Sequence, residues 1–165
     1  MGGETFADVL AANEEYARGF TLRGLDPSAV RGLAVLTCID SRIEPLTMLG
    51  LRPGDAKILR NAGARVTDEV LRTLVIVRYL LGVERLMVIA HTDCRMTAAS
   101  DAVLYEAIAA SGGPSTTHLA FGSTPDPTAT LHADVEQVRV YAEVSQLEVG
   151  GFLYDVDLAR LTQVC

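Results

Sequence analysis

A chain of 165 residues with 49% hydrophobic residues can bury a core of its own and is too apolar for intrinsic disorder. At this length roughly two-thirds of the unfolded surface can be buried, so no disulfide framework is needed. The net charge of −7 argues against nucleic acid or an anionic membrane as partner, and any anion site must then be built from individual arginines. The three cysteines are an odd number, and the N-terminal stretch carries Glu4, Asp8, Glu14 and Glu15 rather than a basic and then apolar leader. The most apolar window, residues 74–83, is interrupted by Arg78 and is too short to cross a bilayer. A reducing, cytoplasmic setting is expected, where cysteines serve more often as metal ligands or catalysts than in disulfides.

Residues 4–19 have helical spacing, with Phe6, Val9, Leu10, Asn13, Tyr16 and Ala17 near one face and Gly19 as the stop. This first helix stands apart from the later core. Residues 21–31, with Gly24, Pro27 and Ser28, read as loop. Residues 33–38 are an apolar run of the kind that a parallel sheet buries on both faces. Pro45 opens a short helix that ends at Gly50, residues 52–55 form a turn, and residues 57–60 are a second short strand. Thr67 caps a helix with Asp68 and Glu69 in its first turn, and that helix stops at Gly82. Residues 85–90 are the third strand, and residues 97–110 are helical. Residues 111–130 are rich in Gly, Pro, Ser and Thr and read as a loop or lid, after which helical spacing returns over residues 131–149. Residues 151–156 are a last core strand, with residues 159–164 as a hairpin partner. This alternation predicts one α/β domain over residues 1–165, a mostly parallel central sheet flanked by helices with an antiparallel C-terminal edge strand.

The chemistry collects at two strand ends. The first strand delivers Cys38, Asp40, Ser41 and Arg42 within five residues, and the third delivers His91 and Cys94. Ligands gather at the carboxyl ends of parallel strands. If these strands are neighbours, Cys38, His91 and Cys94 form a zinc site with two thiolates, one imidazole and an open fourth position. Singly, either cysteine reads as an ordinary buried thiol and His91 as a satisfied core histidine. The combination favours a metal. A cysteine nucleophile over an oxyanion loop is disfavoured, because Asp40 lies two residues after Cys38 and would repel the anion. Asp40 and Arg42 share a face in extended chain and read as an ion pair that keeps the carboxylate charged. Cys165, His118 and His132 read as incidental or solvated groups.

Three stretches in this order, Cys38-Ile39-Asp40-Ser41-Arg42, Arg60-Asn61-Ala62-Gly63 and His91-Thr92-Asp93-Cys94, resemble the β-class carbonic anhydrases. The match is close over residues 33–95 and looser at residues 151–156. The resemblance implies Zn2+ on Cys38, His91 and Cys94. Asp40 would be the hydrogen-bond acceptor beside the metal, or its fourth ligand in a closed state, and Arg42 would hold Asp40 off the metal. It implies a small-molecule substrate and reversible hydration of carbon dioxide to bicarbonate and a proton. The alternatives are hydrolysis of carbonyl sulfide or carbon disulfide at the same zinc, or a catalytically silent zinc-binding dimer. It further implies a homodimer or dimer-based oligomer, with residues 1–31 as a helical arm on the partner subunit. The sequence departs from the family pattern at Arg95, where glycine is usual, and at Asp157-Leu158-Ala159-Arg160, where a Thr-Gly turn is common.

Overall fold

The central strands are apolar over most of their length, as at Leu33 to Leu36 and Leu86 to Ala90, and the structure explains why: they have helices on one side and a folded loop on the other. In the computed structural model, which describes residues 5–97, 99–123 and 125–165, five strands form one sheet in the order β2-β1-β3-β4-β5. These are β1 (Leu33–Cys38), β2 (Ala56–Asn61), β3 (Arg85–His91), β4 (Glu148–Asp155) and β5 (Arg160–Gln163). The first four run parallel and β5 closes the edge antiparallel to β4, with Leu153 opposite Thr162. This is the mostly parallel sheet with an antiparallel C-terminal edge that the spacing predicts.

One core layer joins Ala34, Leu36, Leu86 and Val88 of the sheet to α3 (Asp68–Leu80) and α5 (Pro127–Val140), through Leu74, Val77, Leu131, Val135 and Val138. The other packs Leu33, Val35 and Ile89 against Ile43 and the segment holding Met48, Leu49 and Leu51, which includes the short α2 (Pro45–Met48). Successive strand residues face opposite layers, so β1, buried along its whole length, cannot alternate in polarity. Thr67 caps α3 by accepting from the Val70 amide.

Three elements differ from their sequence expectation. The last helix begins at Pro127 and ends at Val140, not over 131–149. Asp126 caps it by accepting from the Ala129 amide, and Pro127 suits the first turn. The apolar spacing outruns the helix because Val144 and Leu147 are buried from a turn rather than from a helical face. The irregular stretch therefore ends near residue 126. It is anchored at both sides: the Asp101 carboxylate, on α4 (Asp101–Ala110), accepts from the amides of Phe121 and Ser123, and Arg65 donates to the Gly122 carbonyl. Arg65 also grips Asp134, only 3% exposed, through Nε at 2.7 Å. Second, Ala159 takes the left-handed position (φ 51°) of the β4–β5 turn where glycine was missed. Third, the helix expected over 97–110 begins only at Asp101, because Thr97 lies in a turn whose hydroxyl donates to the Cys94 carbonyl. At the N-terminus Glu4, like Ala98, lies outside the described residues, and α1 is Ala7–Arg18. No residue of α1 is buried, and Phe6, Val9, Leu10 and Tyr16 are exposed.

Candidate metal centre

Strand order decides the site. Because β3 is the parallel neighbour of β1, with Thr37 opposite Ile89, their carboxyl ends open side by side. Cys38 closes β1, His91 closes β3, and Cys94 follows in a turn whose Asp93 adopts φ 53°. Their ligand atoms lie within 4.8 Å of one another and all three residues are buried. The two Sγ atoms are 4.0 Å apart. Two zinc–sulfur bonds of about 2.3 Å at a tetrahedral angle require about 3.8 Å. Among the described residues this is the one such group of His, Cys, Asp and Glu.

The imidazole is set for a metal. His91 Nδ1 lies 2.8 Å from the Thr92 carbonyl, to which only a protonated nitrogen can donate, leaving the Nε2 lone pair free. Nε2 is buried and has no protein partner. An orphaned buried nitrogen facing two thiols fits a bound cation, and residues of this chemistry fit zinc. Cys94 bonds to Cys38 and holds that thiol far below its usual range, while the Cys38 charge and burial push the Cys94 thiol up. One proton of the pair is thus easily lost and the second is retained until a cation replaces it. Burial pushes His91 toward its neutral form, but the nearby Cys38 sulfur and its charge outweigh this and raise the imidazole.

The surrounding turns are fixed by polar bonds. The Gly63 amide donates to Cys38 Sγ at 3.4 Å. Gly63 has φ 82°, a conformation that favours glycine, and a Cβ there would press on the Met96 side chain at 3.1 Å. Asn61 spans the same turn, its side chain donating to the Arg65 carbonyl and accepting from the Arg65 amide. Arg60 donates to the carbonyls of Cys38 and Asp40. Thr92 accepts from the Val156 amide and so ties the His91–Cys94 turn to the end of β4.

Asp40 and Arg42 do pair, but not as neighbours along an extended strand. The chain turns after Asp40, whose Oδ1 accepts from the Arg42 amide at 2.9 Å. The guanidinium then reaches both carboxylate oxygens, at 3.0 and 2.7 Å. Its remaining bonds go to the carboxylate and carbonyl of Asp93. These Arg42 bonds hold the Asp40 carboxyl well below the usual carboxylate range. Asp40 Oδ2 is 4.0 Å from His91 Nε2. Sequence reading assigned no role to Arg60, Asn61 or Asp93. The motif spacing held the signal, since Cys38 is paired in register with Asn61, one residue after Arg60. His118 and His132 are exposed and away from this group, and Cys165 packs at Gly151.

The fold and the centre define an α/β protein with a Cys2His metal-binding group at the carboxyl end of its parallel strands. Residues 33–120 match the family model "Carbonic anhydrase". The chain is 34% identical over 161 residues to β-carbonic anhydrase 1 of Mycobacterium tuberculosis, covering 95% of this chain and 96% of that protein. A carbonic anhydrase structure from Streptococcus mutans superposes with a TM-score of 0.91 at 31% identity, covering 100% of both chains. A carbon disulfide hydrolase of Saccharolobus solfataricus is 46% identical over 66 residues, which are 40% of this chain and 32% of that protein. The chain belongs to the β-carbonic anhydrase family. It is accordingly an enzyme of the carbonic anhydrase, or lyase, type.

Proposed function

We propose that this protein binds zinc through Cys38, His91 and Cys94 and catalyses the reversible hydration of carbon dioxide to bicarbonate and a proton. The observation that carries the reading is likeness along the whole chain, 95% of it, to a β-carbonic anhydrase. The carbon disulfide hydrolase of Saccharolobus covers 40% of this chain. Its higher identity there keeps hydrolysis of carbon disulfide or carbonyl sulfide as the second reading.

Bound zinc supplies a Lewis acid that lowers the pKa of a coordinated water toward neutral. The chain's own residues then orient the reaction. Asp40 accepts a hydrogen bond beside the metal; with its proton lost far below neutral pH, it remains an acceptor throughout the working range. Arg42 holds both oxygens of that carboxylate and keeps it from the metal. Arg60, by fixing the carbonyls of Cys38 and Asp40, keeps thiolate and acceptor in one orientation. Stopped-flow assays on protein of measured zinc content test this. We expect carbon dioxide turnover that is lost with a chelator and returns with zinc. Carbon disulfide turnover without carbon dioxide turnover would select the second reading.

The reading includes a reducing, cytoplasmic compartment, which suits two buried free thiols, and a homodimer in which residues 1–31 pack on the partner subunit. Support for the arm is physical: α1 keeps Phe6, Val9, Leu10 and Tyr16 exposed and buries nothing within its own chain, so its apolar face lacks a partner. Sedimentation should give a dimer, and Val9→Glu with Leu10→Glu should shift it toward monomer. A wild-type monomer at micromolar concentration would refute the arm.

A further inference from the structure

The rim of the metal cavity holds a cation that none of these bonds uses. A cavity of about 390 Å3 is lined by Asp40, Arg42, Asp93, Cys94 and Arg95. Arg42 is saturated by Asp40 and Asp93. Arg60 is spent on two backbone carbonyls and Arg65 on Asp134 and Gly122. Arg95 is exposed, and among the described residues it has no hydrogen-bond or ion-pair partner. Its backbone is not in the left-handed region, so nothing about its conformation singles out glycine.

The charge balance gives this free guanidinium work to do. Without Arg95 the rim would hold two carboxylates against one engaged arginine and be net negative, on a chain of charge −7; Arg95 brings it to formal neutrality with the one guanidinium left unpaired. The two thiolates of the metal group match the charge of a divalent cation, so the centre itself offers an anion little net attraction. Carbon dioxide is neutral and indifferent to this field, but bicarbonate is a planar monoanion. We infer that Arg95 is an anion-capturing residue, which binds bicarbonate and similar planar monoanions at the cavity mouth and sets their affinity for the centre. A guanidinium fork suits the two oxygens of such an anion in a way that an ammonium does not. The inference deepens the carbon dioxide reading and rests on it for the identity of the anion, though not for the site.

Because the overall equilibrium is fixed, kcat/KM of hydration and dehydration must change together at any one pH. Binding is therefore the discriminating readout. Cobalt(II)-substituted protein, followed by its visible absorption, would be titrated with bicarbonate, with nitrate and with neutral imidazole, for wild type, Arg95→Gln and Arg95→Lys. Nitrate inhibition of the zinc form gives a second measure. In Arg95→Gln we expect bicarbonate and nitrate to bind about fivefold more weakly, the size of an exposed ion pair, and imidazole to bind unchanged. Arg95→Lys should recover the charge-dependent part. Wild-type nitrate affinity in Arg95→Gln, or an equal loss for imidazole, would overturn the inference. Arg95-dependent anion binding in a protein without carbon dioxide turnover would support the anion site while removing the proposed reaction.

Discussion

Cys38→Ser should fold but fail to retain zinc, and carbon dioxide turnover should fall about a thousandfold or more, toward the uncatalysed background. Serine is nearly isosteric, and β1 is buried by strand pairing and two core layers rather than by this side chain alone. What changes is the donor. A thiol beside Cys94 and the Gly63 amide gives up its proton readily, whereas a serine hydroxyl does not deprotonate near neutral pH and is a poor partner for a borderline-soft metal. Bound zinc would stabilise the fold by mass action, so added zinc should raise the Tm of the wild type and leave that of the variant unchanged. The control is Cys165→Ser, which alters a thiol packed at Gly151 outside the metal group and should keep both zinc and turnover. Elemental analysis and stopped-flow kinetics decide the matter. Near-stoichiometric zinc with full turnover in Cys38→Ser would remove Cys38 from the centre.

The central strands were legible because burial on both faces leaves no polar position, as in Leu33 to Leu36. The metal group was legible because two such strands end in soft and borderline donors. What was not legible depends on chain reversal or on distance in sequence. Asp40 and Arg42 pair through a turn, and the pattern of alternating faces says nothing of turns. Asp93 belongs to the site only because a left-handed residue aims the His91–Cys94 turn back at Arg42, 51 residues earlier. The Arg65–Asp134 pair joins residues 69 positions apart, and neither carries a local signature. The error over the last helix has a similar root. Val144 and Leu147 look helical in spacing because they are buried, but they are buried from turns.

Arg42→Ala should retain zinc and yet lose about a hundredfold in carbon dioxide turnover, because it frees a carboxylate that lies beside the residues that would hold the metal. In the wild type both Asp40 oxygens are held by one guanidinium, and Oδ2 stands 4.0 Å from the very nitrogen that faces the metal group. Without the clamp, the freed Asp40 carboxylate would be able to compete with water for a zinc ion held by Cys38, His91 and Cys94. The pair should be insensitive to pH in the neutral range. The folded Asp40 carboxyl is depressed by Arg42, so its contribution to stability is present above the ordinary value of about 3.9 and is lost only as pH falls through the depressed one. Asp40 should therefore add no limb to the activity profile near neutral pH, which lies well above even the ordinary value of about 3.9. Closure makes a further demand. If Arg42→Ala acts by releasing Asp40 onto the metal, adding Asp40→Asn should cost far less than the product of the two single losses, since the released ligand is already gone. A cobalt spectrum of Arg42→Ala that no longer responds to nitrate, together with this non-additivity, would establish the clamp. Multiplicative losses and a normal nitrate response would mean that Arg42 acts in some way other than by restraining Asp40.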